Sequence, residues 1–203
     1  MRTDPGELGR EILKRTSWKG TTKLSDFSDL ARGRLDLPTN KDVKAAVALI
    51  NEQYPGRILL QKDPSPAYPR YHIRVDNGTG IPTELQVGPQ AATELFESKT
   101  IQIPISLQLY FKRGGGKQNN DFHDVRFGLL SQVKDPEVIE KSGLAAFDRN
   151  YNRLVSDIYH MDGAYPPNFQ ERKAELSREL SQVLDFITKN QPGVLEKIGQ
   201  RRQ

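Results

Sequence analysis

The chain has 203 residues, with 30 Lys and Arg against 26 Asp and Glu, three His and no Cys. Without cysteine there is no disulfide framework, no thiolate zinc site and no thiol nucleophile. No run approaches the ~20 apolar residues that a bilayer-spanning helix needs, so a membrane role through such a helix is excluded.

Hydrophobic residues make up 35% of the chain and the mean hydropathy is −0.67. A chain of this length still buries enough surface for a core without staples. The net charge of +4 attracts nucleotides or nucleic acid, but so small a surplus names no partner. Met1 to Lys14 contains no apolar stretch of the kind that forms a signal peptide's core. The expectation is a protein that acts in the cytoplasm, with delivery as a secreted effector as its companion.

Residues 1–35 carry a basic helical stretch in which Leu8, Ile12 and Leu13 fall at helical spacing, followed by Lys14, Arg15, Lys19 and Lys23. Leu30 to Leu37 is short and alternating and reads as a strand. A helix follows from about Asp42 to Gln53, capped by Thr39 or Asn40, with Val43, Ala46, Val47 and Ile50 as its apolar stripe. Pro55-Gly56 stops it.

Arg57 to Gln61 is a second short strand, and a proline-punctuated loop runs from Lys62 to Pro69. Tyr71 to Asp76 and Thr83 to Val87 are the arms of a hairpin marked by Asn77-Gly78. In the second arm Glu84 and Gln86 face one way and Leu85 and Val87 the other. The order strand, helix, strand, hairpin gives an α+β fold with a small mixed sheet flanked by helices.

Ala91 to Ser98 reads as a helix and Ile101 to Phe111 as an edge strand interrupted by Pro104. Gly114–Gly116 with Lys117 to Asp121 is a polar tip. Asp135 to Gly143, Leu144 to Met161 and Gln170 to Lys189 are helices, the last with a seam of Leu176, Leu180, Val183, Leu184 and Ile187. The domain organisation expected is a core over residues 1–100 and a mostly helical part over 101–203 packed on it, as one domain overall.

Chemistry rests on carboxylates rather than imidazoles. His72, His123 and His160 are far apart in the chain, and there is no HExxH, GxSxG, GxxxxGK[ST] or GxGxxG. Asp29 and Glu84 stand at the starts of two proposed strands and can converge at one sheet edge. Two oxygen donors plus substrate phosphates suffice to hold Mg²⁺. Arg32, Arg34, Lys62, Tyr68, Arg70, Tyr71 and His72 surround them in the sequence, the cationic and aromatic mixture that a phosphoryl-transfer site uses. Ordinary strand-end polar residues are the alternative.

Asp29-Leu30-Ala31-Arg32-Gly33-Arg34-Leu35 resembles the D-[IL]-x-G-x-R segment of RelA/SpoT-type alarmone synthetases. Tyr68-Pro69-Arg70-Tyr71-His72 is similar to their G-Y-x-S-x-H loop, and Thr83-Glu84-Leu85-Gln86-Val87 to their V-E-[IL]-Q-[IV]-R strand. The three motifs stand in the family's order over about residues 14–98. The chain departs from the pattern at Ala67, at the absent serine after Tyr68, at the shifted Gly33 and at Gly88, which replaces an arginine.

The resemblance implies a nucleotidyltransferase-like synthetase fold with a helical C-terminal extension, acting as a toxin-like (p)ppGpp or (p)ppApp synthetase. Asp29 and Glu84 would be catalytic and hold Mg²⁺. Arg34, Arg15, Lys19 and Lys23 would bind ATP, while Tyr68, His72, Arg70 and Gln86 would bind a purine nucleotide acceptor. An antitoxin or immunity protein is the partner implied. Three alternatives stand beside it: a toxin acting on the tRNA 3′ end, an ADP-ribosyltransferase toxin, and a non-catalytic basic module that binds nucleic acid or protein.

Overall fold

The computed structural model describes residues 31–80, 82–97 and 122–195. These fall into two compact units, one formed by 31–80, 82–90 and 159–164, the other by 91–97, 122–158 and 165–195. The fold is α+β: a four-stranded mixed sheet with helices. No helix among the described residues is long and apolar enough to cross a membrane.

The first unit runs β1 (Ala31–Leu37), α1 (Asn40–Gln53), β2 (Ile58–Lys62), β3 (Tyr71–Val75) and β4 (Thr83–Pro89), with sheet order β1-β4-β3-β2. β1 pairs with β4 in parallel, Ala31 opposite Thr83 and Leu37 opposite Pro89. The pairs β3–β4 and β2–β3 are antiparallel. The crossover from β1 to its parallel neighbour begins with α1, as such a connection requires.

Local chemistry accounts for the start of α1. Thr39 and Asp42 form a capping box, the Thr39 hydroxyl accepting from the Asp42 N–H and the Asp42 carboxylate accepting from the Thr39 N–H. Both orphan donors of the first turn are thereby satisfied. Asn40 adds a tertiary tie, its Nδ2 donating to the carbonyls of Tyr159 and Met161 at 3.1 and 3.0 Å. The apolar stripe expected on α1 lies on the sheet: Val43, Val47, Ala46 and Ile50 pack with Ile73, Val75, Val87, Leu37, Ile58 and Leu85.

The hairpin closes where the Asn77-Gly78 signal places it, with Val75 opposite Thr83. Gly78 has a φ of 78°, the left-handed region that glycine enters without a steric penalty. The Asn77 amide donates to the Thr83 hydroxyl at 2.9 Å, bracing the connection.

The second unit is helical: α2 (Gln90–Phe96, its Gln90 in the first unit), α3 (Phe122–Gln132), α4 (Pro136–Lys141), α5 (Leu144–His160, its Tyr159 and His160 in the first unit) and α6 (Phe169–Asn190). Asp135 caps α4 ahead of Pro136 at its first turn, a position where the missing proline N–H is not needed. Phe96, Phe122, Phe147 and Tyr151 supply its aromatic core, and the α6 seam from Leu176 to Ile187 is buried. Helix α3 has no counterpart in the sequence reading, which ends the polar tip at Asp121 and resumes structure at Asp135. The strand expected over Ile101 to Phe111 and the Gly114–Gly116 tip lie outside the described residues, as does the basic N-terminal helix.

Ile73 is fully buried at the centre of the sheet. Ile73→Ala is expected to lower the free energy of unfolding by about 2–5 kcal/mol, since lost transfer energy and the residual cavity add. Urea titration followed by circular dichroism measures it.

Candidate functional site

Period-2 alternation sorts the sheet into two faces. Leu85, Val87, Ile73 and Val75 point to α1. The residues between them put Glu84, Gln86 and Gly88 from β4, His72 and Arg74 from β3, and Arg32, Arg34 and Asp36 from β1 on the other face. The register sets Arg32 beside Glu84, Arg34 beside Gln86 and Asp36 beside Gly88, while His72 faces Gln86 and Arg74 faces Glu84.

Glu84 is the focus of this polar face. Its Oε1 lies 3.5 Å from Arg32 Nε and 3.5 Å from His72 Nδ1, and accepts from Gln86 Nε2 at 3.1 Å. Donors from β1, β3 and β4 thus meet on one oxygen, and Oε2 makes none of these contacts. The His72 imidazole is the chief influence that holds the Glu84 carboxyl below the ordinary glutamate range; burial opposes it, and Arg32 and Gln86 add to the lowering. Glu84 is therefore a fixed anion at neutral pH.

Tyr68 reaches this group from the loop before β3. Ser65 and Tyr68 exchange backbone hydrogen bonds at 2.9 Å, and the Arg70 N–H donates to the Tyr68 carbonyl at 2.9 Å around Pro69. Two tight turns in succession, each holding a proline whose φ is preset, set the Tyr68 ring 5.1 Å from the His72 ring at a 42° tilt.

Arg70 and Gln86 serve other groups of the protein. The sequence places Arg70 against the acceptor, yet it is only 4% exposed and its Nη2 faces Asp36 Oδ1 at 3.9 Å. Gln86, expected on the acceptor, spends an amide hydrogen on Glu84. Arg34 stays open to solvent, its side chain 38% exposed, with Nε on Asp36 Oδ2 at 2.9 Å. Tyr71 points to the apolar face, where burial, ahead of Asp63 and Tyr159, raises its phenol pKa. Asp29, Arg15, Lys19 and Lys23 lie outside the described residues.

Asp36 has no role in the sequence reading, and Gly88 enters it only as a departure from the resemblance. Alternation continued two residues beyond Arg34 reaches Asp36, so its place was available; the role of Gly88 was not, because it depends on how the Pro69 turn lays Arg70 across the sheet.

Among the described residues no group of three or more His, Cys, Asp or Glu is arranged to hold a metal. A single ionised carboxylate with an uncommitted oxygen does suit Mg²⁺, which takes one or two carboxylates, substrate phosphates and water. No family model, curated protein or solved structure matches the chain.

The His72–Glu84 contact sets a pH signature. A carboxyl lowered by folding contributes stability that is fully present above the ordinary glutamate value of 4.5 and is lost as pH falls through the lowered one. In His72→Ala the Glu84 titration is expected to move up toward 4.5. The stability gap from the parent should be present above 4.5 and shrink as pH falls through the lowered value. Carbon-13 titration of the Glu84 carboxyl, with melts across the same pH range, reads both.

Proposed function

We propose that the polar face of the sheet is the nucleotide site of a Mg²⁺-dependent pyrophosphokinase of the RelA/SpoT synthetase type. It would move the β,γ-pyrophosphoryl group of ATP to the 3′-hydroxyl of a purine nucleotide. The observation that carries this reading is the gathering of Tyr68, His72, Glu84, Gln86, Arg32 and Arg34 on one face, around one ionised carboxylate. Those residues come from the three motifs of the resemblance.

The chemistry follows from the parts. The acceptor 3′-oxygen attacks the β-phosphorus of ATP, the bond from that phosphorus to the α,β-bridging oxygen breaks, and AMP leaves. Glu84 accepts the hydrogen bond of the attacking hydroxyl and orients it. With its pKa lowered it is a weak base, so its contribution is alignment, and the released proton passes on to water. Transfer of this kind depends mostly on positioning and on charge stabilisation.

Arg34, with Arg32 beside it, meets phosphate oxygens from β1. The guanidinium fork matches them in pairs of charge-assisted hydrogen bonds. The Tyr68 ring, braced by His72, offers a face for the acceptor's purine, a contact of about 1–3 kcal/mol per base.

Glu84 Oε2 and Asp29, which precedes β1 by two residues in the sequence, would hold the metal. Mg²⁺, when bound, neutralises charge on the ATP phosphates. A toxin or effector role belongs to the same reading: the alarmone product would drain the purine pool of the cell that receives the protein.

The test is incubation with labelled ATP, Mg²⁺ and GDP, GTP, ADP or AMP, resolving nucleotides by chromatography. The parent protein should release AMP and form a 3′-pyrophosphorylated nucleotide. Glu84→Gln keeps the shape and loses the charge, and should slow turnover by about 10²–10⁴-fold. Transfer to tRNA 3′ ends alone would change the acceptor. Absence of AMP with every acceptor, tRNA included, would sink the reading.

A further inference from the structure

Arg70, Asp36 and Arg34 form a graded row across the polar face. Arg70 is buried at 4% exposure, the Asp36 side chain is 24% exposed and the Arg34 side chain 38%. Asp36 divides its two oxygens between the arginines, Oδ1 to Arg70 Nη2 at 3.9 Å and Oδ2 to Arg34 Nε at 2.9 Å. A contact at Nε restrains a guanidinium, whose nitrogens all lie in one plane.

Gly88 is what admits Arg70 to this row. A Cβ on Gly88 would lie 2.4 Å from Arg70 Cγ, 3.2 Å from Arg70 Cβ and 3.2 Å from the Pro69 carbonyl oxygen. The first distance is impossible and the last involves backbone, which the Ser65–Tyr68 and Tyr68–Arg70 turns hold. The arginine stem therefore crosses β4 only where that strand has no side chain. Gly88 stands opposite Asp36 in the parallel register, so the crossing delivers the buried guanidinium to Asp36.

We infer that Asp36 and Gly88 are positioning residues: Gly88 seats the buried Arg70, Arg70 anchors Asp36, and Asp36 orients the exposed Arg34 toward the phosphates of ATP. The inference rests on the nucleotide site proposed above and adds to it the residues that aim its phosphate-binding arginine. Arg70 contacts no ligand in this scheme; it acts through Asp36.

ATP binding by the full chain, measured calorimetrically at fixed salt without acceptor, tests the row. Arg34→Ala is expected to weaken ATP binding about tenfold, the worth of a charge-assisted contact. Unchanged affinity in that variant would overturn the nucleotide site itself. With Arg34 present, Asp36→Asn and Gly88→Ala should each weaken binding about five- to tenfold. In the Arg34→Ala background neither should cost more, because their effect passes through Arg34. Losses that multiply in that background would overturn the positioning role while leaving the site intact.

Gly88→Ala combined with Arg70→Ala separates folding from aiming and leaves every carboxylate in place, so it also serves should Asp36→Asn fail to fold. The thermal midpoint should recover toward the parent as the clash is relieved, while ATP affinity stays weak. Affinity that recovers together with stability would reduce Gly88 to a packing residue and refute the inference.

Discussion

The parallel register between β1 and β4 is the constraint on which the site depends. It sets Arg32, Arg34 and Asp36 beside Glu84, Gln86 and Gly88, and the antiparallel β3 brings His72 and Arg74 alongside. A slip of one residue would turn every one of these side chains to α1 and expose Val87 and Leu85. What resists the slip is the opposite face, where Val87 and Ile73 are fully buried against the stripe of α1. The chemistry is thus held in place by a hydrophobic contact in which it takes no part. At roughly 25 cal/mol per Å² of apolar surface, that contact is far stronger than any single polar pair on the other face.

On the polar face the balance is electrostatic. Glu84 Oε1 gathers an imidazole, a guanidinium and an amide, and the first of these does most to keep it ionised. An anion arriving at this face competes for the same donors. Phosphates that engage Arg32 or the imidazole draw them from Glu84, and a cation carried with those phosphates compensates the carboxylate. Under the proposed function, a ligand that brings both signs of charge, as a metal–nucleotide complex does, would meet less competition there than a bare anion.

Much of this was legible in the residues. The alternation of Thr83 to Val87 assigns Glu84 and Gln86 to one face, the stripe from Val43 to Ile50 identifies the helix that covers the other, and Asn77-Gly78 joins the hairpin. Tyr71 shows where nearness in the sequence overreaches: its neighbour His72 lies on the polar face, so alternation alone turns Tyr71 inward, as observed. Helix α3 was hidden for a different reason. Phe122, Val125 and Leu129 are buried at helical spacing, but Gly128 sits in the middle and Phe127 is exposed. Local propensity is weak there, and burial within the second unit compensates for it. The crossing of Arg70 over Gly88 had no signal at all, because it follows from two turns whose geometry is not written in spacing.

That crossing also bears on why a charge is buried at this point. Removing a guanidinium from water costs several kcal/mol, which its contacts in the fold must offset, Asp36 Oδ1 at 3.9 Å among them. Arg70 is buried there with its stem against Gly88. Its effect is directional. Asp36 is a short side chain near the end of β1, its side chain 24% exposed, with one oxygen toward each arginine. A buried cation on one side restricts it to the orientation that grips Arg34 at Nε. Preorganisation of this kind lowers the entropy lost when a phosphate is bound. If the face binds phosphate as proposed, that order falls on Arg34, the more exposed arginine of the row.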